Sequence, residues 1–456
     1  MVAPETPGNV ATASEALAAA RTGRLVRGVG SSLVARGVTS LVPLVLIPIT
    51  LGYLGAETYG IWMALTSVTS MFLWADLGLG NTLMTRLTPL IVKGDWAEAR
   101  DLVSAAYRVL GRVALVGMVA VAIASLLLPW DAILNAPDSE EPRWVAGVCL
   151  LAFVINIPLS LVHRLLFALQ RVPASNGLQM GGSCLAVAAG GLAVIGDAAP
   201  VLVIALIVLA PVAVNALGTV VTLKGSGLVS SAALRDASSK GLITSGLRFV
   251  LIGVMTSLAL NVDFLVVAHG TGVKDVALYS VVTRLFLALG LLVTVLNMPL
   301  WPANSEALVR GDLAWVRRST GWMMLLSGGG VLLSGAVLVL AKDPILQILG
   351  AHDSTLSTTL PLGFVAMWTL LAITSPLFMV QNSVGHLGPQ TIGWAAYLIV
   401  SVPAKVLVVH NIGSDWIPWT SLVVYAITVF PSAVIGLRGA LRATGRRTRT
   451  FQGVGG

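Results

Sequence analysis

Away from the ends that carry inner-side arginines, five charged side chains interrupt the apolar stretches of this sequence: Arg36, Asp76, Asp263, Arg284 and Lys405. A charge at the centre of a membrane-spanning helix costs roughly 2.5–3.5 kcal/mol on insertion scales, so each of these needs a partner or water. Ser32, Arg36, Thr39, Ser40 and Pro43 share one face at helical spacing, which reads as a water-lined face carrying a cation for an anionic ligand group. The other reading of Arg36 is a side chain snorkelling to the inner interface. Trp394, Tyr397, Ser401 and Lys405 form a second stripe, aromatic and polar, which suits ring stacking beside a cation; the other reading is an interfacial Lys with packing aromatics. Arg284, near the outer end of its run, fits either a ligand contact or an interface role. Asp263 lies with Thr256, Ser257 and Asn261 on a polar arc. It can titrate, bind a coupling cation, or pair with Arg36, Arg284 or Lys405, and a static charge pair is the favoured expectation. Asp76, just before Gly78 and Gly80, is expected to cap local backbone where the glycines let helices approach, and Glu306 with Asn304 to tie helix ends together.

None of this is catalytic equipment. The histidines (163, 269, 352, 386 and 410) are scattered without metal-ligand spacing, so no metal is assigned. No Gly-x4-Gly-Lys-Ser/Thr loop is present, which argues against direct ATP hydrolysis. The longest outer loop, about Pro129 to Trp144, offers Asp131, Asp138, Glu140, Glu141 and Arg143 but no His or Cys, which argues against a membrane glycosyltransferase or polymerase. Cys149 and Cys184 both sit in apolar runs and are expected to be buried thiols.

The elements that position these residues follow from the solvent. Of 456 residues 56% are hydrophobic and only 11% charged, with a mean hydropathy of +0.90, so most of the surface must meet lipid. Runs of about 20 apolar residues, enough to cross a bilayer, number twelve: about 28–53, 59–84, 109–130, 144–169, 174–196, 200–223, 246–268, 278–301, 321–341, 360–383, 390–410 and 417–438. Small residues four apart, as at Gly177, Gly181 and at Gly182, Ala186, Gly190, read as close helix packing. Residues 1–27 lack an apolar core and read as a mobile cytoplasmic tail rather than a signal peptide. With the N-terminus inside, 22 of the 28 Lys and Arg fall on the inner side and three on the outer, which puts both termini in the cytoplasm. The net charge of +8 is then an inner basic face for anionic lipid, not a nucleic-acid surface.

The chain also repeats itself. Val92-Lys93-Gly94-Asp95-Trp96-Ala97-Glu98-Ala99-Arg100 returns as Val309-Arg310-Gly311-Asp312-Leu313-Ala314-Trp315-Val316-Arg317. Each Gly-Asp reads as a turn followed by a helix cap. The copies join runs two and three and runs eight and nine, on the same side of the membrane. The halves are therefore parallel copies of six spans, 28–224 and 246–438, joined by a cytoplasmic linker at 225–245 and followed by a basic tail at 439–456. A parallel repeat places the expected binding cavity between its halves.

Leu46-Ile47-Pro48, Tyr53-Leu54-Gly55, Tyr59-Gly60-Ile61-Trp62, Asp76-Leu77-Gly78-Leu79-Gly80-Asn81 and Lys93-Gly94-Asp95 occur in this order, and the second half adds Asn261-Val262-Asp263, Tyr279-Ser280 and Arg284. In these motifs the chain resembles the bacterial polysaccharide transporters, the O-antigen-flippase-like members of the multidrug/oligosaccharidyl-lipid/polysaccharide (MOP) exporter superfamily. Phe264 stands where that family often has a basic residue after the aspartate. The resemblance implies an all-α polytopic fold of two pseudo-symmetric six-helix lobes in a MATE-like V. It further implies a non-enzymatic flippase of the bacterial cytoplasmic membrane, moving a polyprenyl-diphosphate-linked oligosaccharide to the outer leaflet by alternating access. On that reading Arg36, Arg284, Lys405 and Tyr397 contact the diphosphate and sugars, Asp263 and Asn261 serve a coupling ion or a charge pair, and Asp76, Gly78, Gly80, Asp95 and Asp312 are structural. No cofactor is expected, and H+ or Na+ remains open as coupling ion. Polysaccharide polymerase machinery is a possible partner. A multidrug/cation antiporter of the same fold is the alternative, and the balance of three basic against two acidic intramembrane charges favours an anionic cargo.

Overall fold

A computed structural model describes residues 7–71, 75–134, 141–229, 241–270, 273–342, 344 and 357–452. Among these the regular elements are all helical. The helices are α1 (Pro7–Met71), α2 (Leu79–Lys93), α3 (Trp96–Leu127), α4 (Trp130–Leu134), α5 (Glu141–Leu159), α6 (Leu161–Ala168), α7 (Val172–Ile195) and α8 (Pro200–Ser226). They continue with α9 (Leu242–Gly270), α10 (Val273–Asn297), α11 (Leu300–Val309), α12 (Leu313–Leu340), α13 (Thr359–Val384), α14 (Gly388–Asn411), α15 (Ile417–Ile427) and α16 (Val429–Gln452).

Among the described residues eleven helical stretches are long and apolar enough to cross a membrane. Their outer faces are apolar: Ile195, Leu333, Leu340 and Ile399 are all exposed. Such faces are stable against lipid and not against water. Cys184 follows the same logic. It is exposed where burial was expected, because an apolar run in lipid has one face that no protein covers. The remaining expected span, 59–84, is not one helix. It runs within α1 to Met71, then breaks and restarts as α2, with left-handed backbone at Leu77 (φ 52°) and Gly78 (φ 67°). About twelve crossings result. The turn between the first two lies at Gly55 (φ 75°, ψ 166°), the one non-helical residue inside α1.

The helices form two compact units. One is Gly30–Leu247. Its core has one cluster around Leu79, Leu83, Leu87, Val103, Leu110 and Leu165 and a second around Trp62, Leu65, Val145, Val203 and Ile207. Gly182, Ala186 and Gly190 lie on the buried face of α7, and a Cβ on Gly182 would be 3.1 Å from the Pro211 backbone of α8. Gly177 and Gly181 are exposed and take no part in that close contact. Both ends of the expected linker are fastened within this unit: Leu228 and Leu242 are buried, and Arg100 Nε donates to the Gly227 carbonyl at 2.9 Å. Linker residues 230–240 lie outside the described residues.

The other unit comprises the chain up to Val29 together with everything from Arg248 onward. Its clusters centre on Tyr279, Phe286, Leu289, Phe364 and Trp368, on Leu25, Leu300, Ala307, Trp315 and Val380, and on Trp394, Tyr397 and Tyr425. The segment expected as a mobile tail over residues 1–27 is helical from Pro7 on, and residues 1–6 lie outside the described residues. Within it Arg21 is 1% exposed. Arg21 Nη1 lies 2.9 Å from Asp312 Oδ2, and Arg24 Nη2 lies 2.7 Å from Glu306 Oε2. Arg21 also stacks over Trp315, whose indole N–H donates to Thr22 Oγ1. Alanine, the strongest helix former, fills this segment, and Leu25 gives it an apolar anchor.

The repeated connectors have the same backbone. Gly94 (φ 76°) and Gly311 (φ 74°) are left-handed, and Asp95 and Asp312 each accept from the amide three residues on, Glu98 and Trp315, at 3.1 Å. In both, the Asp amide reaches back five residues, to Leu90 and Ala307, at 2.9 Å. This is a Schellman closure running straight into an N-cap. The two caps are not equal in context, because only Asp312 also holds Arg21. Asp95→Ala is expected to cost about 1 kcal/mol, and Asp312→Ala about 2–4 kcal/mol because it also strips a buried guanidinium of its closer partner, leaving it Glu306 Oε1 at 3.9 Å from its Nε. Unfolding of the purified variants measures the difference, and equal costs would show the Arg21 contact to be idle.

Candidate functional site

Two of the five intramembrane charges, Asp263 and Lys405, come together in the second unit. Lys405 of α14 points its Nζ at Asp263 Oδ1 of α9, 2.6 Å away. The other carboxylate oxygen accepts from the Tyr279 hydroxyl of α10 at 3.1 Å. Asp263 is 8% exposed and Lys405 is fully buried. Helical spacing explains why α14 carries this group inward. Trp394, Tyr397, Ser401, Lys405 and Val409 fall on its buried face, while Ile392, Ile399 and Leu407 fall on its exposed one.

Around the pair stands an aromatic wall. Tyr397 meets Trp394 and Tyr425 edge-on, with ring centroids 5.7 and 6.2 Å away, and Lys405 Nζ lies 5.4 Å from the Tyr397 centroid. A Cβ at Gly393 would collide with Ser432 of α16, so its absence lets α14 bring this wall against α16. The hydroxyls of Ser401 and Tyr425 are buried without a hydrogen-bond partner among the described residues. Chemically this is a neutralised ion pair in a polar pocket walled by aromatic rings. In this structure Lys405 and Tyr397 present no surface to a ligand, because each is at most 1% exposed.

The other expected residues lie elsewhere. Asn261 is exposed and spends its amide on the Ser257 carbonyl at 2.8 Å. The Arg284 side chain lies outside the described residues. Arg36 is exposed on the first unit, and Thr39 bonds only to the Arg36 carbonyl within the helix. Ser32, expected on a water-lined face with Arg36, is instead buried and accepts from Asn176 Nδ2 at 2.9 Å. The face is wide enough to have one edge packed and one edge open.

Asp76 sits in the break of the second span. Its two oxygens accept from the amides of Gly78 at 3.0 Å and Gly80 at 3.4 Å. Gly80 is also where Arg164 of α6 passes: a Cβ there would be 2.7 Å from Arg164 Cγ and 3.0 Å from Asp76 Oδ2. Nothing in the spacing of Asp76 pointed to Arg164, which lies 88 residues on. A second feature missed from sequence is a polar core in the same unit. His163 lies 3.0 Å from both Ser175 Oγ and Asn215 Oδ1, and Asn215 donates to Asn156 at 2.9 Å. Ser160, His163 and Asn156 do recur at helical spacing, a signal that a polar stripe faced inward. Among the described residues no three His, Cys, Asp or Glu side chains gather as metal ligands.

The architecture has known counterparts. An outward-facing multidrug resistance MATE family transporter of the MOP superfamily superposes with a TM-score of 0.74 at 14% identity, over 94% of this chain and 97% of that one. The Vibrio cholerae MATE transporter VcmN in its bent form gives 0.66 at 16% identity, over 94% and 98%. A MATE in the straight conformation gives 0.73 at 16% identity, over 93% and 97%. At such identities these likenesses establish the fold, which is that of MATE transporters. No curated protein sequence matches the chain. The family profile described as polysaccharide biosynthesis protein matches residues 25–308, which spans the first of the repeated turns, the Asp76 break and Asp263. With most of its length under that profile, this multi-pass membrane protein belongs to the polysaccharide biosynthesis protein family, a family of the MOP superfamily.

Proposed function

We propose that the chain is a flippase that carries a polyprenyl-diphosphate-linked oligosaccharide from the inner to the outer leaflet of the bacterial cytoplasmic membrane, both termini lying in the cytoplasm. One conjunction carries this reading: the family is one of polysaccharide biosynthesis, while the fold is an exporter's. A saccharide built inside and used outside needs such a step, and its lipid carrier can stay in the bilayer while the headgroup crosses. Arg36 supports the reading. It lies within the candidate span Glu15–Gly55 and is exposed there, so its guanidinium needs water or an anion beside it. In this reading it meets the diphosphate, which a guanidinium can grip with two parallel hydrogen bonds. Asp76, Gly78, Gly80, Asp95 and Asp312 hold the scaffold.

The test is reconstitution in liposomes with a fluorescent polyprenyl-diphosphate sugar and, separately, a cationic dye. The flippase moves the first. Transport of the dye alone would replace this reading with a multidrug antiporter. Within the same assay Arg36→Ala is expected to slow flipping by about tenfold or more, the cost of a lost charge-assisted hydrogen bond, with Arg36→Lys losing less. Wild-type rates in Arg36→Ala would remove Arg36 from the site while leaving the flippase intact.

A further inference from the structure

We propose that the Lys405 ammonium is a tethered cation: it fills, on Asp263, a seat that would otherwise take a free alkali-metal ion. Asp263 is then not where this exporter binds a coupling ion, and Lys405 is the residue that decides so. The proposal stands whatever the cargo is, and its test uses no cargo.

The geometry leads there in three steps. First, the carboxylate is fully engaged, with Oδ1 on Lys405 Nζ at 2.6 Å and Oδ2 on Tyr279 Oη at 3.1 Å. Its charge is balanced from within the protein. Second, the ammonium's contacts are those a hard cation takes, a carboxylate oxygen and an aromatic face, with a further free hydroxyl one turn away. Asp263 Oδ1 is in direct contact, and the Tyr279 hydroxyl holds the other oxygen of the same carboxylate. Ser401 lies one turn before Lys405 on the same buried face, and its hydroxyl is buried without a partner among the described residues. The face of Tyr397 adds a cation–π wall. Third, Lys reaches this seat on a flexible four-carbon stem and delivers a compact single charge, which is what a sodium ion would supply. Truncating the stem removes the charge and opens the volume in one stroke, with the oxygens left behind.

A purely structural ion pair and a tethered cation make different predictions for that truncation. If the pair only glues α9 to α14, no ion replaces the lost ammonium. If the ammonium stands in for an ion, a small free cation restores what was lost and a large one does not. The experiment is thermal unfolding of the full chain in lipid nanodiscs, followed by intrinsic tryptophan fluorescence, in choline, sodium or ammonium chloride at equal ionic strength. The wild type is expected to melt at the same temperature in all three. Lys405→Ala is expected to melt lower in choline and to recover by about 3 °C or more in sodium or ammonium. The double variant Asp263→Asn with Lys405→Ala is expected to show no such salt preference. Three results overturn the proposal: a Lys405→Ala midpoint indifferent to the cation, a sodium shift in the wild type that Asp263→Asn abolishes, or a Lys405→Ala chain that fails to fold in every salt while the double variant folds.

Discussion

Asp263→Asn is expected to destabilise the chain by about 3–5 kcal/mol, the usual cost of breaking a buried ion pair from one side. The substitution keeps the volume and leaves an oxygen for the Tyr279 hydroxyl, so what it removes is the charge opposite Lys405. That ammonium is fully buried, and among the described residues Asp263 is the anionic group in contact with it, the ring of Tyr397 standing on another side. An exposed pair would cost well under 1 kcal/mol to break, because water would take both charges. Here Lys405 is fully buried and Asp263 nearly so, and water cannot take both charges. Adding Lys405→Met to Asp263→Asn should therefore recover most of the loss, since the double variant buries no charge and methionine fills the volume of the stem. The measurement is a double-mutant cycle on unfolding midpoints in nanodiscs. Single variants that cost less than about 1 kcal/mol and simply add would show the two charges to be independent and the pair incidental.

How far the sequence foretold this pair can be followed residue by residue. Lipid as solvent made the helices readable, because an apolar run of membrane length has few alternatives. Spacing along α14 correctly grouped Trp394, Tyr397, Ser401 and Lys405 on one face. What spacing could not say was whether that face looked outward to a ligand or inward to the core. In a membrane protein both polar linings and buried polar cores interrupt the same apolar pattern. The partner of Asp263 was equally open. Three basic residues were candidates, and the one chosen lies 142 residues away, a choice made by tertiary packing and not by any local rule.

The turns were the opposite case. Gly94-Asp95 and Gly311-Asp312 carry their chemistry locally, so a Gly for the left-handed residue and an Asp for the cap were legible at once. Their relatives at Gln170 (φ 57°) and Gly385 (φ 69°) make the same five-residue reach, from Arg171 to Leu166 and from His386 to Gln381, at 2.8 and 2.9 Å. They were missed because the backbone repeats there while the residue types do not. The N-terminal segment failed for a related reason. Its alanines mark a helix, but Arg21 and Arg24 looked like surface charges until Asp312 and Glu306 were placed beside them.

Gly78→Ala is expected to have the other large effect, more than about 4 kcal/mol, enough to abolish folded protein in a marginally stable chain. Two penalties combine. Gly78 lies at φ 67°, and an L-residue there costs roughly 1–2 kcal/mol by its own sterics. The larger penalty is external, because a Cβ at Gly78 would land on the backbone carbonyl of Gly246, at the start of α9. A flexible side chain could swing aside, but a helical carbonyl cannot, and the reciprocal Cβ on Gly246 would strike the carbonyl of Leu77. Gly94→Ala is the control. Gly94 has a similar φ of 76°, yet nothing lies within 4 Å of where its Cβ would go. It should cost only the backbone term, about 1–2 kcal/mol. Monodisperse yield and unfolding midpoint of the two variants separate the terms. If Gly78→Ala proves as mild as Gly94→Ala, then the backbone contact at the break in the second span is dispensable. In that event Asp76, with its hold on the Gly78 and Gly80 amides, is what keeps the break in shape.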